Sequence, residues 1–387
     1  MTTVESVTDL EAQRAEMVAL AREFAQKEIA PYAAQWDRDS EFPVEVIGKL
    51  RELGFLGLRI PEEYEGLGLD ELTYLMMLEE IAAADAAVAV SLSIHNSLPA
   101  AMLLRAGTPE QCDRWLRPMA RGEILAAFAL SEADSGSDAA SLKAQAVRDG
   151  SDWVLTGTKA WVTNGDTAEL LIVMVRTDHP DDRQGARGVS SFIVPTDTPG
   201  VEPGKPEDKM GLRASRTTTV ALNDVRLDHD HLLGEEGSGF KLSLSALDQG
   251  RMGIAAQAIG IARSAYEHAL KYSAERKQFG TALNQFQAIQ FKLADMITQI
   301  SAARALLHDA ARARSRGESV TARASMSKLF ASEMAVAITS QAVQIFGGYG
   351  YMRDYPVERL MRDAKVTEIY EGTSEIQRIV IAREICS

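Results

Sequence analysis

The spacing of the apolar residues changes twice along the chain, and this change constrains the fold more than any other feature of the sequence. Residues 1 to about 120, and residues from about 236 onward, carry apolar side chains at helical spacing with charges between them. Between these blocks, short β-branched runs such as LLIVMVRT and TTTVALNDVRL are separated by polar stretches that contain Gly and Pro. The pattern predicts an α+β protein with three domains, at residues 1–122, 123–235 and 236–387.

The three blocks predict different architectures. WVLTGTKAWVTNG, residues 153–165, alternates around a central Thr-Gly pair, as a β-hairpin does. The middle block is therefore predicted to be a small antiparallel β-barrel or sandwich. The flanking blocks predict an N-terminal helical domain and a C-terminal bundle of long helices, whose Ala-rich faces also allow packing between subunits.

Charge and composition exclude several classes of protein. The chain has 387 residues and a net charge of −14 without a long basic cluster, which argues against non-specific nucleic-acid binding. No secretory signal is expected, because the N-terminal residues include acids and no apolar run. The stretch IAAADAAVAVSLSI is interrupted by Asp85 and predicts a buried helix, not a membrane span. Cys112 and Cys386 give no disulfide framework, and a reducing cytoplasm is the expected compartment.

Several common catalytic patterns are absent from the sequence. It has no G-x-x-x-x-G-K-[ST] run for a P-loop and no G-x-G-x-x-G between a strand and a helix for a dinucleotide-binding turn. It also has no G-x-S-x-G elbow and no Glu-x-x-His pair for a di-iron centre. His229 and His231 lack a third ligand nearby, so no metal site is expected.

Two stretches of the middle block carry groups suited to a ligand. SEADSGSD, residues 131–138, supplies hydroxyls and backbone N–H groups that suit a polar or anionic ligand, but equally a helix-capping loop. In KAWVTNG, Trp161 and Thr163 lie two positions apart and therefore on one face of a strand. That pair offers a stacking surface and a hydroxyl to a planar ring, although a core Trp with a Thr at the rim has the same spacing.

Two stretches of the C-terminal block leave a similar choice open. Arg251 in ALDQGRMG and Arg276 in ERKQFGTAL lie in helical surroundings, where Arg suits phosphate recognition but is also common on helix surfaces. In QIFGGYGY, residues 344–351, two glycines after a helix allow a close backbone approach to a ligand, or only a turn between helices. Neither stretch decides the function by itself.

A single glutamate, Glu371, stands between a tyrosine and a glycine in TEIYEGTSEIQ, residues 367–377. Ser374 is predicted to be the N-cap of the following helix, and Gln377 completes a capping box with it. Glu371 is therefore predicted to lie on the preceding turn and not on the helix. Taken alone, such a residue is an ordinary surface carboxylate near a positive helix end.

Taken together and in this order, these stretches resemble the acyl-CoA dehydrogenase family over essentially the whole chain. SEADSGSD resembles the family's flavin loop, and WVTNG resembles its second flavin strand. ERKQFG and QIFGGYGY resemble segments that reach FAD from the helical domain, partly across a dimer interface. IYEGTSEIQ resembles the signature that carries the catalytic base. The resemblance implies a FAD-dependent enzyme that converts an acyl-CoA to a trans-2-enoyl-CoA.

The resemblance also implies roles for individual residues. Glu371 matches the base that removes the α-proton while hydride passes from the β-carbon to flavin N5. The thioester carbonyl is expected to accept hydrogen bonds from a flavin ribityl hydroxyl and from the backbone N–H of Glu371. The positions that match FAD contacts are Phe128, Leu130, Ser131, Gly136, Ser137, Trp161, Thr163, Arg276, Gln278, Phe279, Gln287, Gln344, Gly348, Thr373 and Glu375. The positions that match substrate contacts are Ser137, Asp248, Arg251, Gly372, Gln257 and Thr367.

Three positions favour the short-chain branch of the family. Members for isovaleryl and long-chain substrates place their base on the helix that here begins ALDQGR, but the matching residue is Gly250, which cannot act as a base. Gln257 and Thr367 match polar residues that shorten the acyl pocket, so a short straight or branched acyl-CoA is the expected substrate. The flavin loop reads EAD at 132–134 instead of the commoner Glu-Pro-Gly/Ala, which is expected to change its stiffness and not its chemistry.

The resemblance further implies an electron-transfer flavoprotein as electron acceptor and a homotetrameric assembly. Two other functions fit parts of the pattern: an acyl-CoA oxidase of the same fold, and a non-catalytic relative that binds acyl-CoA. Oxidases of this group are usually much longer than this chain. The YEG glutamate and the full set of flavin motifs disfavour the non-catalytic relative.

Overall fold

The computed structural model describes residues 2–179 and 184–386, with side chains from residue 10 onward. Within these ranges helices come first, strands lie between Ala126 and Leu233, and helices return from Gly239, apart from one short hairpin. This order confirms the predicted α+β class, with a β region between two helical parts. The exact extents of the three domains stay a prediction.

In the described part of the chain, the first helical part contains six α-helices, and the last three of them follow one another closely along the sequence. Its helices are α1 (Thr2–Phe24, continued by a π-helical turn at Ala25–Ile29), α2 (Ala33–Asp39), α3 (Val44–Glu52), α4 (Glu71–Ala84), α5 (Ala86–Ala106) and α6 (Pro109–Ala120). Asp70 caps α4 and Asp85 caps α5, because each carboxylate accepts two backbone N–H groups of the first turn. Thr108 and Gln111 form a capping box at α6.

Helix α5 is apolar nearly all round because it runs through the core. Its most apolar window is 94% buried, so the fold accounts for its hydrophobicity, as the sequence predicts. The segment Thr321–Tyr351 also has the length and composition of a membrane-crossing helix, and 50% of its window is buried.

The strands form one mixed sheet. They are β1 (Ala126–Ala129), β2 (Gln145–Asp149), β3 (Asp152–Thr163), β4 (Leu170–Arg176), β5 (Val189–Pro195), β6 (Val201–Pro203), β7 (Thr217–Leu227) and β8 (Leu232–Leu233). Their order is β6-β7-β3-β2-β4-β5-β8, and β1 pairs with β4. The prediction of purely antiparallel pairing is wrong, because β4 runs parallel to both β1 and β2. The connection from β1 to β4 runs through β2 and β3, and a parallel pair requires such a long crossover connection.

The predicted hairpin within WVLTGTKAWVTNG is also wrong, because this stretch lies in the single 12-residue strand β3 and the turn after it. Gly157 sits inside the strand, where a Cβ would lie 2.6 Å from the Cα of Ala144. It therefore marks a bulge in the pairing with β7 and not a turn. A second shift in that pairing, between Lys159 and Val162, contains Trp161 at φ +55°.

The C-terminal part is a bundle around one long helix, as predicted. Its elements are α7 (Gly239–Glu275), the hairpin β9 (Lys277–Gln278) and β10 (Thr281–Ala282), α8 (Gln287–Ser315), α9 (Thr321–Phe346), α10 (Val357–Lys365) and α11 (Ser374–Cys386). Helix α7 packs against α4 and α5 as well as α8 and α9, so both helical parts share one core. In α8, Leu293, Met296 and Ile300 are buried at helical spacing.

Nearly buried carboxylates of α4 fasten the two helical parts together. Glu79 accepts hydrogen bonds from Arg304 of α8 and pairs with Arg263 of α7 at 3.1 Å. Glu80 accepts hydrogen bonds from Arg22 of α1 at 2.8 Å and from Arg263 at 2.7 Å. Removing one member would leave a buried charge unpaired, so these pairs fix α4 beside α7.

Candidate active site

Glu371 lies on a short turn between a 3₁₀ turn at Val366–Glu368 and α11, as the sequence predicts. Glu371 at φ +52° and Gly372 at φ +92° are both left-handed. This conformation is unfavourable for a residue with a side chain, so the surrounding contacts hold Glu371 there against strain.

The predicted capping box of α11 is wrong. The helix begins at Ser374, and the residue before it, Thr373, accepts a first-turn N–H at 3.4 Å. The Gln377 amide instead donates to the carbonyls of Glu371 at 3.2 Å and Gly372 at 2.9 Å. Gln377 therefore stabilises the turn that presents Glu371 and not the helix N-terminus.

The Glu371 carboxylate is buried without a hydrogen-bond partner among the described residues. It lies against Gly250 of α7, where a Cβ atom would overlap one of the carboxylate oxygens. Gly250 thus provides the room that the carboxylate occupies. Because an unpaired buried carboxylate opposes folding, it identifies a group kept for chemistry or binding.

Burial raises the pKa of Glu371 to about 7 from its ordinary value of 4.5. The positive charges of Lys328 and Arg251 oppose this rise, because they favour the ionised carboxylate. At neutral pH the group therefore exists in both protonation states, which suits a general base.

Arg251 is nearly buried and is oriented by Asp248, another residue expected at the substrate. Its guanidinium donates to Asp248 at 2.7 Å, and the second oxygen of Asp248 accepts from the Thr321 hydroxyl at 2.7 Å. The Nε of Arg251 has no partner among the described residues. Arg251 therefore retains one donor for a ligand next to Glu371.

A buried polar chain lies beside the glutamate turn, and it contains both residues expected to shorten the acyl pocket. Gln257 is fully buried, donates to the Ala86 carbonyl at 2.7 Å and accepts from the Tyr370 hydroxyl. Thr367 is also fully buried, and its hydroxyl donates to the Ala364 carbonyl at 2.7 Å. Tyr370 thus links Gln257 to the segment that contains Thr367.

The residues expected at the flavin ring come together on β1, β3 and the loop between β1 and β2. The N–H of Ala160 donates to the Ser131 carbonyl at 2.9 Å, and buried Lys159 donates to the Leu130 carbonyl at 3.1 Å. Trp161 is 56% exposed in the bulge of β3. Half-buried Phe128 and Thr163 and exposed Gly136 and Ser137 complete this set.

The residues of this face fit a flavin. An exposed indole held in a bulge offers a stacking surface for a planar ring. Next to it, Asn164 Oδ1 and Thr218 Oγ1 are buried without partners among the described residues. The loop itself is pinned, because Glu132 accepts hydrogen bonds from Lys159 at 2.8 Å and from two backbone N–H groups.

The other residues expected at FAD lie at the far end of α7. The Arg276 guanidinium lies 5.4 Å from the centre of the Tyr349 ring, and Phe279 on the hairpin is 96% exposed. The exposed residues also include Gln278 on the hairpin, Gln287 at the start of α8, and Gln344 and Gly348 around the end of α9. By the helical rise, Arg276 lies about 39 Å along α7 from Gly250. This set is therefore remote from Glu371 of its own chain.

The remaining residues expected at the cofactor flank the base. Thr373 is half-buried at the start of α11, and Glu375 is exposed on its first turn.

A cavity of about 260 Å³ opens nearby between α5, α7 and the end of α8, lined by Arg59, Arg105 and Arg314. Its lining does not include Glu371, whose carboxylate oxygens are buried.

Sequence reasoning missed two residues of the site, Lys328 and Tyr370. Lys328 is fully buried on α9 and donates to the Gly372 carbonyl at 2.7 Å. The available signal was a lone lysine among small residues in ASMSKLFAS, on a helix with an apolar face. Tyr370 was visible only as the neighbour of Glu371, and its bond to Gln257 depends on the fold.

Comparison with known families agrees with this geometry. The family models for the N-terminal, middle and C-terminal domains of acyl-CoA dehydrogenase match residues 11–123, 127–225 and 237–386. The chain therefore belongs to the acyl-CoA dehydrogenase family, whose members are FAD-dependent oxidoreductases.

Individual relatives cover almost the whole chain. Mitochondrial short-chain specific acyl-CoA dehydrogenase from Bos taurus is 47% identical over 93% of this chain and 87% of its own length. The structure of butyryl-CoA dehydrogenase from Megasphaera elsdenii matches with a TM-score of 0.94 and 42% identity, covering 97% of this chain and 98% of that one. A chain from structural work on the electron transferring flavoprotein of Acidaminococcus fermentans matches with a TM-score of 0.94 and 44% identity, covering 96% and 97%.

Proposed function

We propose that this acyl-CoA dehydrogenase oxidises a short straight or branched acyl-CoA to the trans-2-enoyl-CoA, with Glu371 as the base that removes the α-proton. The observation that carries the proposal is the buried, unpartnered carboxylate of Glu371 beside Gly250. A carboxylate with a pKa of about 7 is a far better base than one in water.

In this proposal the ionised carboxylate of Glu371 accepts the α-proton as the α C–H bond breaks. None of the hydrogen bonds found among the described residues uses the backbone N–H of Glu371, so this group is free to donate to the thioester carbonyl. Such a donor acidifies the α-proton by stabilising the developing enolate. The Ser131 loop, Trp161 and Thr163 would hold FAD, which would supply the acceptor for the hydride that leaves the β-carbon. The enclosed site keeps water from the carboxylate.

The proposed chain length rests on the buried chain of Gln257, Tyr370 and Ala86. A long acyl tail would have to displace Gln257, and the Tyr370 hydroxyl would then lose its acceptor in the core. The names of the relatives support the same branch, since one is short-chain specific and another acts on butyryl-CoA.

The proposed assembly is a cytoplasmic homotetramer that passes electrons to an electron-transfer flavoprotein. The match to a chain studied with such a flavoprotein supports the acceptor. The exposed hairpin residues around Phe279 support an oligomer, because they lie about 39 Å along α7 from the base, too far for a shared flavin-ring site within one chain. In an oligomer they would bind the FAD of a second copy.

An anaerobic titration of the purified protein with butyryl-CoA, isobutyryl-CoA and octanoyl-CoA tests the proposal through the flavin absorbance. We expect bleaching by one of the short thioesters. Bleaching by octanoyl-CoA alone would refute the short-chain assignment, and bleaching by none would refute a simple saturated acyl-CoA as substrate. Oxygen consumption during turnover in air, measured in parallel, would instead support an oxidase.

A further inference from the structure

Lys328 is a buried cation to which the proposed reaction gives no role. Its ammonium group donates to the Gly372 carbonyl at 2.7 Å, and burial lowers its pKa to about 8. An ammonium group inside a protein is unfavourable unless negative charge compensates it. A neutral carbonyl provides only a part of that compensation.

The buried negative charge that faces Lys328 is Glu371. Glu371, Glu368 and Glu375 favour the charged lysine, whereas Arg251 opposes it. Glu368 already pairs with a lysine at the end of α10 at 2.5 Å, and Glu375 is exposed. The electrostatic partner of Lys328 is therefore the proposed base.

The same helix holds both ends of the segment that carries the base. Ser332, one turn after Lys328, donates to the Thr367 carbonyl at 2.8 Å. Lys328 holds the other end at Gly372, whose carbonyl also accepts from Gln377 at 2.9 Å. Helix α9 thereby fixes the turn from one side and α11 from the other.

Lys328 is close enough to influence Glu371 without contacting it. The ion pairs within 4.0 Å among the described residues do not include Lys328 with Glu371. Both carboxylate oxygens consequently stay free for a ligand. A direct pair would have occupied the atoms that must receive the proton.

We propose that Lys328 is a positioning residue for the base: it fixes the Glu371–Gly372 turn through the Gly372 carbonyl and supplies a charge that favours the ionised form of Glu371 while leaving its oxygens free. The inference deepens the proposed function and rests on it for its catalytic meaning. The link between Lys328 and Glu371 itself is a property of the folded chain.

The charged and titratable groups around Glu371 determine the direction in which its pKa should change when Lys328 is replaced. They are Arg251 on α7, Lys328 on α9, Tyr74 on α4 and the adjacent Tyr370. Burial raises the pKa of both tyrosines, so they stay neutral. Among the described residues, only the two cations oppose the effect of burial, and removing one of them must raise the pKa of Glu371.

Three variants separate charge from hydrogen bonding. Lys328→Arg keeps a charge and a donor, Lys328→Gln keeps a donor alone, and Lys328→Met keeps neither. Lys209→Met is the matched control, because Lys209 also donates to a backbone carbonyl, that of Ser215 at 2.8 Å, but has no electrostatic link to Glu371. The readout is the pH profile of kcat/KM with butyryl-CoA.

We expect the acidic limb of the profile to move up by about one pH unit in Lys328→Gln and Lys328→Met, as loss of a nearby opposite charge predicts. In Lys328→Arg and Lys209→Met the acidic limb should stay at its wild-type pH. An unmoved limb in Lys328→Gln would reduce Lys328 to a structural hydrogen-bond donor and overturn the proposal.

A thermodynamic cycle tests the link without turnover. The difference in unfolding free energy between wild type and Glu371→Gln, measured from pH 5 to 9, reports the pKa of Glu371. Repeated in the Lys328→Met background, the pH at which this difference levels off should be higher. An unchanged levelling-off pH would overturn the inference, whereas a higher one in an enzyme whose turnover is unaffected by Glu371→Gln would uphold the link and refute the base.

Discussion

At the residue scale, the chemistry proposed for Glu371 rests on the burial of its carboxylate without a partner among the described residues. Its carboxylate is enclosed by protein and unpaired among the described residues, and two cations keep its pKa at about 7 instead of higher. The motif around YEG predicted the position on a turn. The burial, the approach to Gly250 and the charge of Lys328 could not be predicted, because each depends on a helix distant in sequence.

Glu371→Gln should change stability in a pH-dependent way. The pKa of Glu371 is higher in the folded chain than its ordinary value of 4.5, so its contribution is fully present below pH 4.5 and is lost as pH rises through about 7. We expect Glu371→Gln to be about 1–3 kcal/mol more stable than wild type at pH 8 and nearly equal at pH 4.5. Denaturant unfolding at both pH values measures this. Glu384→Gln, an exposed change on α11, is the control, and an equal difference at both pH values would contradict the account.

Gly250→Ala should disable the base without unfolding α7. Its Cβ would overlap the Glu371 carboxylate and force it aside. A displacement of about 1 Å costs roughly 10²-fold in kcat when it affects a reacting group. Steady-state kinetics and the flavin spectrum check this, with Gly48→Ala as the control because a Cβ there meets nothing within 4 Å. Full activity in Gly250→Ala would show that the carboxylate reacts from another position.

At the element scale, the site is made by a turn held between helices. Hydrophobic spacing predicted the order of the helical and β blocks correctly. It could not predict that β3 continues through Gly157, because that bulge reflects the close approach of Ala144. The spacing also did not predict Thr373 as the cap of α11. Gln377 donates to the carbonyls of the Glu371 turn instead of completing a capping box, and this depends on the folded turn.

Gln257→Ala should lengthen the accepted acyl chain. It removes a fully buried side chain beside the glutamate turn and frees the Tyr370 hydroxyl. We expect the ratio of kcat/KM for octanoyl-CoA to that for butyryl-CoA to rise about tenfold or more, as a few buried methylene groups of contact allow. Ser264→Ala, further along the same helix, should leave the ratio unchanged. An unchanged ratio in Gln257→Ala would mean that the acyl chain ends elsewhere.

At the scale of the whole molecule, α7 keeps the two sets of residues that the sequence motifs assign to FAD far apart. Their roles at the cofactor stay a prediction, which short local motifs could make. The distance between them follows only from the unbroken length of α7, 37 residues. An isolated chain therefore offers an incomplete cofactor site under the proposed function.

Phe279→Ala should weaken FAD retention through the assembly. Its ring is 96% exposed in the single chain and would be covered by a second copy with its cofactor. We expect faster loss of FAD on dilution than in wild type, while Tyr32→Ala, another exposed aromatic, retains FAD normally. Flavin fluorescence measures the loss of FAD, and sedimentation measures the state of assembly. Equal retention in Phe279→Ala and wild type would remove the hairpin from the cofactor site.

The most direct test of the account is anaerobic stopped-flow reduction of the flavin by butyryl-CoA in wild type and Glu371→Gln. The account predicts that both proteins hold FAD and bind the thioester. The wild-type rate should rise as pH passes through about 7, and above that pH the variant should be roughly 10²–10⁴-fold slower. Flavin reduction by Glu371→Gln at the wild-type rate would contradict the assignment of Glu371 as the base.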